Sequence, residues 1–286
     1  MKKLISLPIL LCLVPGLALA DQDVTSKRVD TLPQIDGQID ESWKNAPVTV
    51  TRDRIAKIDI ELRSVHDGNT VYFLVHYPDP TESRRHKYLV WNETLQSYRS
   101  GPSREDSFVF KFSMEARPVD LTISGDEPYK ADIWYWKANR TDPVGFADDK
   151  HHLYGISTLK KSQMVVNRDG NPFYLTRLSD NGRSAYSSQT YEKFVEQEMP
   201  RYKNRQPEGS RGDIRAKGRW ENGYWTIEFA RKLVTGHSDD VQFDLNQNYA
   251  FGVSRHEIAG KPVNPKLEQP LYESGEIGER LTLIWK

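Results

Sequence analysis

DSFVFKFSM, residues 106–114, places Phe108, Phe110 and Phe112 at every second position. A period of two puts those rings on one side of an extended chain and Val109 and Lys111 on the other. The same alternation runs through TVYFLVHY (residues 70–77), YWTIEF (residues 224–229) and YAFGVS (residues 249–254), and Leu281, Leu283 and Trp285 repeat it. One buried and one polar face per strand is the mark of antiparallel sheets. Turn residues separate the runs: His66-Asp67-Gly68-Asn69, Asp169-Gly170-Asn171 and Glu221-Asn222-Gly223. The last lies between Trp220 and Tyr224 and predicts a tight hairpin. Helical signal is thin. SSQTYEKFVEQEM (residues 187–199) reads as a short amphipathic helix stopped by Pro200, inside a polar surface insertion spanning residues 178–218. The expectation is one all-β domain: an antiparallel sandwich, immunoglobulin- or jelly-roll-like, with long loops and at most a short helix.

The N-terminal MKKLISLPILLCLVPGLALA has two lysines, a short apolar run and Ala-Leu-Ala ahead of Asp21. Those features describe a secretory signal peptide over residues 1–20, leaving residues 21–286 as the domain. No later stretch is apolar and long enough to span a bilayer. The expected product is therefore exported and has no membrane span. Cys12, the chain's single cysteine, lies in the leader. The remainder has no thiol for disulfides, thiolate metal sites or nucleophilic catalysis, and no C-x-x-C-H for covalent haem. Removing Lys2 and Lys3 from the 40 basic residues leaves 38 against 40 acidic ones, a net of −2. That balance argues against general nucleic-acid binding.

The familiar enzyme constellations are absent: there is no G-x-S-x-G elbow, no phosphate-cradling glycine loop and no H-E-x-x-H. Acid pairs occur at Asp148-Asp149 and Asp239-Asp240, read as solvated loop acids or weak calcium ligands. His151-His152 is a weak metal signal, because neighbours on a strand face opposite ways. Arg211-Gly212-Asp213 reads as a chance match to an adhesion tripeptide. Met114 continues the phenylalanine register. It is either a gap-filling core methionine or a soft thioether ligand to haem iron. In KADIWYWKANRTDPVGFADD (residues 130–149), Trp134 and Trp136 share one face while Ile133, Tyr135 and Lys137 share the other. The tryptophans either fill the core or form a platform for a sugar ring or a porphyrin.

Several blocks resemble the ethylbenzene-dehydrogenase-related family, the haem-binding domain of haem b subunits in type II dimethyl-sulfoxide-reductase-like molybdoenzymes. PQIDGQIDESW (residues 33–43) resembles the opening hairpin shared with family 9 carbohydrate-binding modules. YPDPTESRRHKYLVWNE (residues 77–93) and SREDSFVFKFSM (residues 103–114) are similar to mid-domain blocks. Residues 130–149 resemble the family's most typical motif, and residues 209–243 its C-terminal block. The resemblance implies a β-sandwich holding haem b non-covalently, with electron transfer rather than catalysis as its task. It implies a periplasmic protein or subunit serving a respiratory redox enzyme, with a molybdoenzyme or cytochrome as redox partner. In characterised subunits a methionine and a lysine hold the iron, and Met114 matches the methionine position. Many relatives carry histidine where this chain has Tyr135, so no ligand role is carried over there.

Met114, His256, His86 and Lys137 are thus the axial-ligand candidates, with Lys261 behind them, and Met114 opposite His256 the favoured pair. Trp134, Tyr135 and Trp136 are expected to line the pocket, and haem iron is the metal expected. The alternative is a carbohydrate or small-ligand binding module of the same fold, without a redox role.

Overall fold

The computed structural model describes residues 22–53, 56–256 and 280–286. The signal-peptide stretch and Lys261 lie outside the described residues, as does the side chain of His256. Among the described residues there are eighteen strands, three short 3-10 turns and no α-helix. The first strands are β1 (Gln22–Arg28), β2 (Thr49–Asp53), β3 (Ile58–His66), β4 (Thr70–Pro78), β5 (Leu89–Asn92) and β6 (Ser97–Ser100). Next come β7 (Ser107–Ser113), β8 (Tyr129–Lys137), β9 (Asp148–Gly155), β10 (Gln163–Val166), β11 (Pro172–Ser179) and β12 (Tyr186–Ser188). Last are β13 (Glu198–Met199), β14 (Tyr202–Asn204), β15 (Arg215–Glu221), β16 (Tyr224–Lys232), β17 (Tyr249–His256) and β18 (Leu281–Trp285).

Most strands join one continuous ribbon in the order β10-β11-β9-β8-β7-β17-β18-β1-β3-β4-β16-β15, with β2 added beside β3. The ribbon folds over so that β3, β4 and β16 face β7, β8 and β17. The alternating aromatic residues are what drive this. Phe73 of β4 meets Phe110 of β7 at 4.8 Å, Phe112 meets Trp134 of β8 at 4.8 Å, and Phe229 of β16 meets Phe110 at 5.1 Å. All are fully buried, and each such ring removes on the order of 150–250 Å² from water. A backbone bridge between Phe146 and Arg215 joins the segment before β9 to β15 and narrows the open side. The Asn-Gly hairpin forms as expected: Glu221 pairs Tyr224, and Asn222 and Gly223 take the left-handed φ values 53° and 84° that such a turn requires.

The outer faces are covered too. Val109, Ile133, Tyr129, Tyr154 and Leu175 form a second cluster under Val119 and Leu121, and Trp43 packs with Val65, Tyr72 and Leu74 on the opposite sheet.

Two expectations need correcting. The pairing is antiparallel except at β1, which runs parallel to both β18 and β3. Residues 187–199 form no helix. Glu198 and Met199 pair instead with Val90 and Leu89, while Phe194 and Tyr191 pack against Trp91 and Tyr98 at 5.4 and 5.6 Å. A helix this short is marginal on its own, so strand pairing and ring contacts win. No described helix is long and apolar enough to cross a membrane.

Candidate functional site

Sheet register sorts the ligand candidates. His256 of β17 pairs with Ser107 of β7, and Ser107 pairs with Lys137 of β8, so these residues form one row across the sheet. Met114 follows the far end of β7, where its N–H donates to the Lys130 carbonyl at 3.0 Å. Lys130 and Lys137 stand at opposite ends of β8, roughly 23 Å apart along an extended strand. Met114 also lies on the inner side, packed against the main core. The sheet therefore separates Met114 from both Lys137 and His256, and the favoured Met114–His256 pair does not meet at one iron.

Lys137 is fully buried on the outer face, beneath the inserted segment that carries β12 and β14. Its Nζ lies 2.5 Å from Asp148 Oδ2 and 3.4 Å from the Tyr186 hydroxyl. The ammonium sits over the rings of Tyr135 and Tyr186, 4.3 and 5.2 Å from their centroids. Burial lowers the Lys137 pKa to about 8 against the opposing pull of Asp148. Burial alone would raise Asp148, but Lys137, Lys150 and Arg211 hold it well below the usual carboxylate range. The Arg211 guanidinium donates to Asp148 Oδ1, so the Arg-Gly-Asp triplet has a structural role at this site.

His86 lies at the same end. It is buried, its Nδ1 accepts the Glu105 N–H at 3.5 Å, and its ring lies 5.8 Å from that of Tyr202. Tyr202 in turn meets Tyr186 edge-on at 5.5 Å. Burial, with the positive charges of Arg140, Lys87, Arg104 and Lys137, pushes the imidazole down to about 2. The 3.3 Å approach of His86 Nδ1 to Glu105 Oε1 is therefore not an ion pair. Glu105 gives its charge to Arg140 and accepts the N–H groups of Asn139 and Arg140 at 2.6 and 3.0 Å. The Arg140 guanidinium stacks 5.3 Å from both Tyr186 and Tyr202.

Of the three aromatic residues expected to line a pocket, Tyr135 faces this cluster. Trp134 and Trp136 point into the sandwich. Trp136 donates to Asp142 Oδ1 at 3.0 Å, and its ring occupies the place where a Cβ on Gly218 would stand, 2.4 Å away. Arg140, Tyr186 and Tyr202 were missed in the sequence, because they reach the site from an irregular turn and a surface insertion without periodicity.

No curated protein gives a significant match to the chain. Among solved structures, a family 9 carbohydrate-binding module from Caldicellulosiruptor kristjanssonii in complex with glucose is similar at 12% identity and TM-score 0.40. That match covers 93% of this chain and 97% of the module. The same organism's module in complex with cellotriose matches at 13% identity and TM-score 0.40, over 93% of this chain and 95% of that one. The family described as ethylbenzene dehydrogenase matches residues 38–263, most of the sequence and every described strand except β1 and β18, and the chain belongs to that family.

Proposed function

We propose that this chain is an exported haem-b-binding electron-transfer subunit of a respiratory redox enzyme, with a molybdoenzyme or cytochrome as its partner. One observation carries the reading. His86 and Lys137, nitrogen donors from separate segments, are buried at the same end of the sheet; burial and neighbouring cations keep the imidazole neutral, and burial lowers the proton affinity of the lysine. The donor chemistry fits a haem iron. His86 and Lys137 are the residues that would hold it, with His256 in the same strand row and Tyr135, Tyr186 and Tyr202 as aromatic surround. When bound, the haem supplies a one-electron carrier. The protein's own contribution is to keep the imidazole unprotonated, to set the lysine's proton affinity through Asp148, and to place Arg140, Lys150 and Arg211 as cationic neighbours.

The test is an absorption spectrum of protein produced in the periplasm under haem-replete conditions. A Soret band with a sharp α-band on reduction is expected, and Lys137→Met or His86→Ala should shift or abolish the low-spin signature while Met114→Ala leaves it in place. Folded protein with no Soret band defeats the reading.

The carbohydrate reading keeps one specific observation. Trp134 and Trp136 are enclosed, but Trp91, Tyr98, Tyr191 and Phe194 form a partly exposed ring group on the small β13-β5-β6 sheet. Cello-oligosaccharide binding by haem-free protein, lost in Trp91→Ala, would favour it.

A further inference from the structure

On the inner face of β8, β9 and β11, away from the lysine–histidine cluster, carboxylates gather in excess of the Arg231 guanidinium and the His151 and His237 rings beside them. Asp132 shares the face of Trp134 and Trp136, and Asp149 pairs with Trp134 across the β8–β9 ladder. Asp180 follows β11, and Asp239 and Asp240 descend from the loop between β16 and β17. Asp132, Asp149, Asp180 and Asp240 are all at least 96% buried. Among the described residues, Asp132 Oδ1, both oxygens of Asp149, Asp180 Oδ2 and Asp240 Oδ2 are buried with no hydrogen-bond partner. Buried polar atoms are almost always satisfied, and a buried carboxylate facing only other carboxylates is strongly unfavourable. Arg231 reaches in from β16, but its donors go to Asp132 Oδ2 at 2.5 Å and to the Val241 and Lys232 carbonyls.

The ligand oxygens of Asp132, Asp149 and Asp240 all lie within 4.8 Å of one another. Oxygen donors across a calcium ion stand about 5 Å apart, since each bond is about 2.3–2.6 Å. Two adjoining groups, His151–Asp180–Asp239 and Asp213–His237–Asp240, meet the same spacing. Their imidazoles are engaged by Asp180 and Asp213, which leaves the central set purely oxygen. Magnesium keeps most of its water and transition metals favour nitrogen or sulfur, so a buried cage of carboxylate oxygens suits calcium.

We propose that Asp132, Asp149 and Asp240 bind a calcium ion, with Asp180 as a further oxygen donor, and that the ion fastens the 237–241 loop to β9. This site is separate from the haem reading and does not depend on it. The cation supplies the charge that Arg231 alone does not, and it satisfies the orphaned oxygens in one step.

The test compares full-length purified protein in EGTA and in calcium chloride, reading metal content by mass spectrometry and unfolding by tryptophan fluorescence. Calcium at about a hundredfold over its Kd should raise Tm by roughly 5–10 °C, and metal analysis before chelation should find calcium bound stoichiometrically. Asp149→Asn should lose that rise and the bound calcium while unfolding in EGTA at or above the wild-type temperature. A merely structural role for Asp149 would instead lower Tm in both solutions. If Asp149→Asn does not fold, Asp240→Asn supplies the same comparison. Wild-type protein that neither retains calcium nor shifts with it overturns the proposal, as does a calcium shift that persists in both variants or stoichiometric zinc or manganese with no calcium response.

Discussion

On β9, Asp148 points outward to Lys137, Lys150, Arg211 and the Tyr186 hydroxyl, while Asp149 points inward to Asp132, Asp180 and Asp240. Adjacent in sequence and chemically identical, they are driven in opposite directions, the proton affinity of the first lowered by its cationic neighbours and that of the second raised by burial and neighbouring carboxylates. Strand alternation alone makes the difference, because one step along the chain exchanges one face of the sheet for the other. The outer face surrounds its carboxylate with cations. The inner face has an excess of negative charge that its own residues do not neutralise.

The largest effect should come from breaking the matched side. Asp148→Ala leaves the buried Lys137 ammonium unpaired and should cost about 3–5 kcal/mol in urea unfolding. Combining Lys137→Met with Asp148→Leu should recover part of that loss, since an apolar pair needs no partner while Arg211 and Lys150 still lose theirs.

A pH series in EGTA sharpens the contrast at intermediate size. Asp132 is raised to about 6, mainly by burial, and Asp149 is raised too, by burial and by Asp132 and Asp240. The folded protein therefore keeps protons that the unfolded chain gives up above about pH 4, and stability falls as pH rises through that window. The slope is about 1.4 kcal/mol per pH unit for each proton retained. Asp106, raised to about 8, and Glu228, raised to about 7, both chiefly by burial, add to the same slope. Asp148 is depressed, so its contribution is fully present above its unfolded value and is lost only in stronger acid. Lys137 acts later: between about 8 and its unfolded value near 10.5 the folded state holds fewer protons than the unfolded one, and stability rises with pH. Urea midpoints from pH 4.5 to 7.5 that stay flat in EGTA would contradict the inner-face assignment, and calcium should reduce the downward slope by the share of Asp132 and Asp149, leaving that of Asp106 and Glu228.

The smallest expected change is the one of unusual sign. In EGTA, Asp149→Asn should be neutral or stabilising by up to about 1 kcal/mol, because it removes repulsion and little else. A loss as large as that of Asp148→Ala would show that the two faces are not different in kind.

The sheet was largely legible in the sequence because Phe108, Phe110, Phe112, Phe73 and Phe229 report their burial by period. The parallel seating of β1 was not, since QDVTSKR has too little apolar pattern to reveal which neighbour it chooses. The helix expected over residues 187–199 gave way to contacts with Trp91 and Tyr98, a hundred residues earlier. Of the candidate site, Lys137 and His86 were singled out, but their meeting depends on register and on an insertion that no local pattern specifies. The acid cluster had a signal that went unread. Asp132 is in phase with Trp134 and Trp136, so an acid was due to enter the core, and Asp149 pairs with Trp134 on the same face. Reading Asp148-Asp149 and Asp239-Asp240 as solvated pairs overlooked that all four acids are buried.

The seam at β18 sets an order of events for making this protein. β18 bonds β17 on one side and β1 on the other, and it buries Leu281 and Leu283 against Val24 from the chain's beginning. Pairing residue 22 with residue 281 encloses nearly the whole polypeptide, and contacts of such long sequence separation form slowly. The two halves of the sandwich are joined edge to edge only through β18, so the seam can close only once that strand has been made.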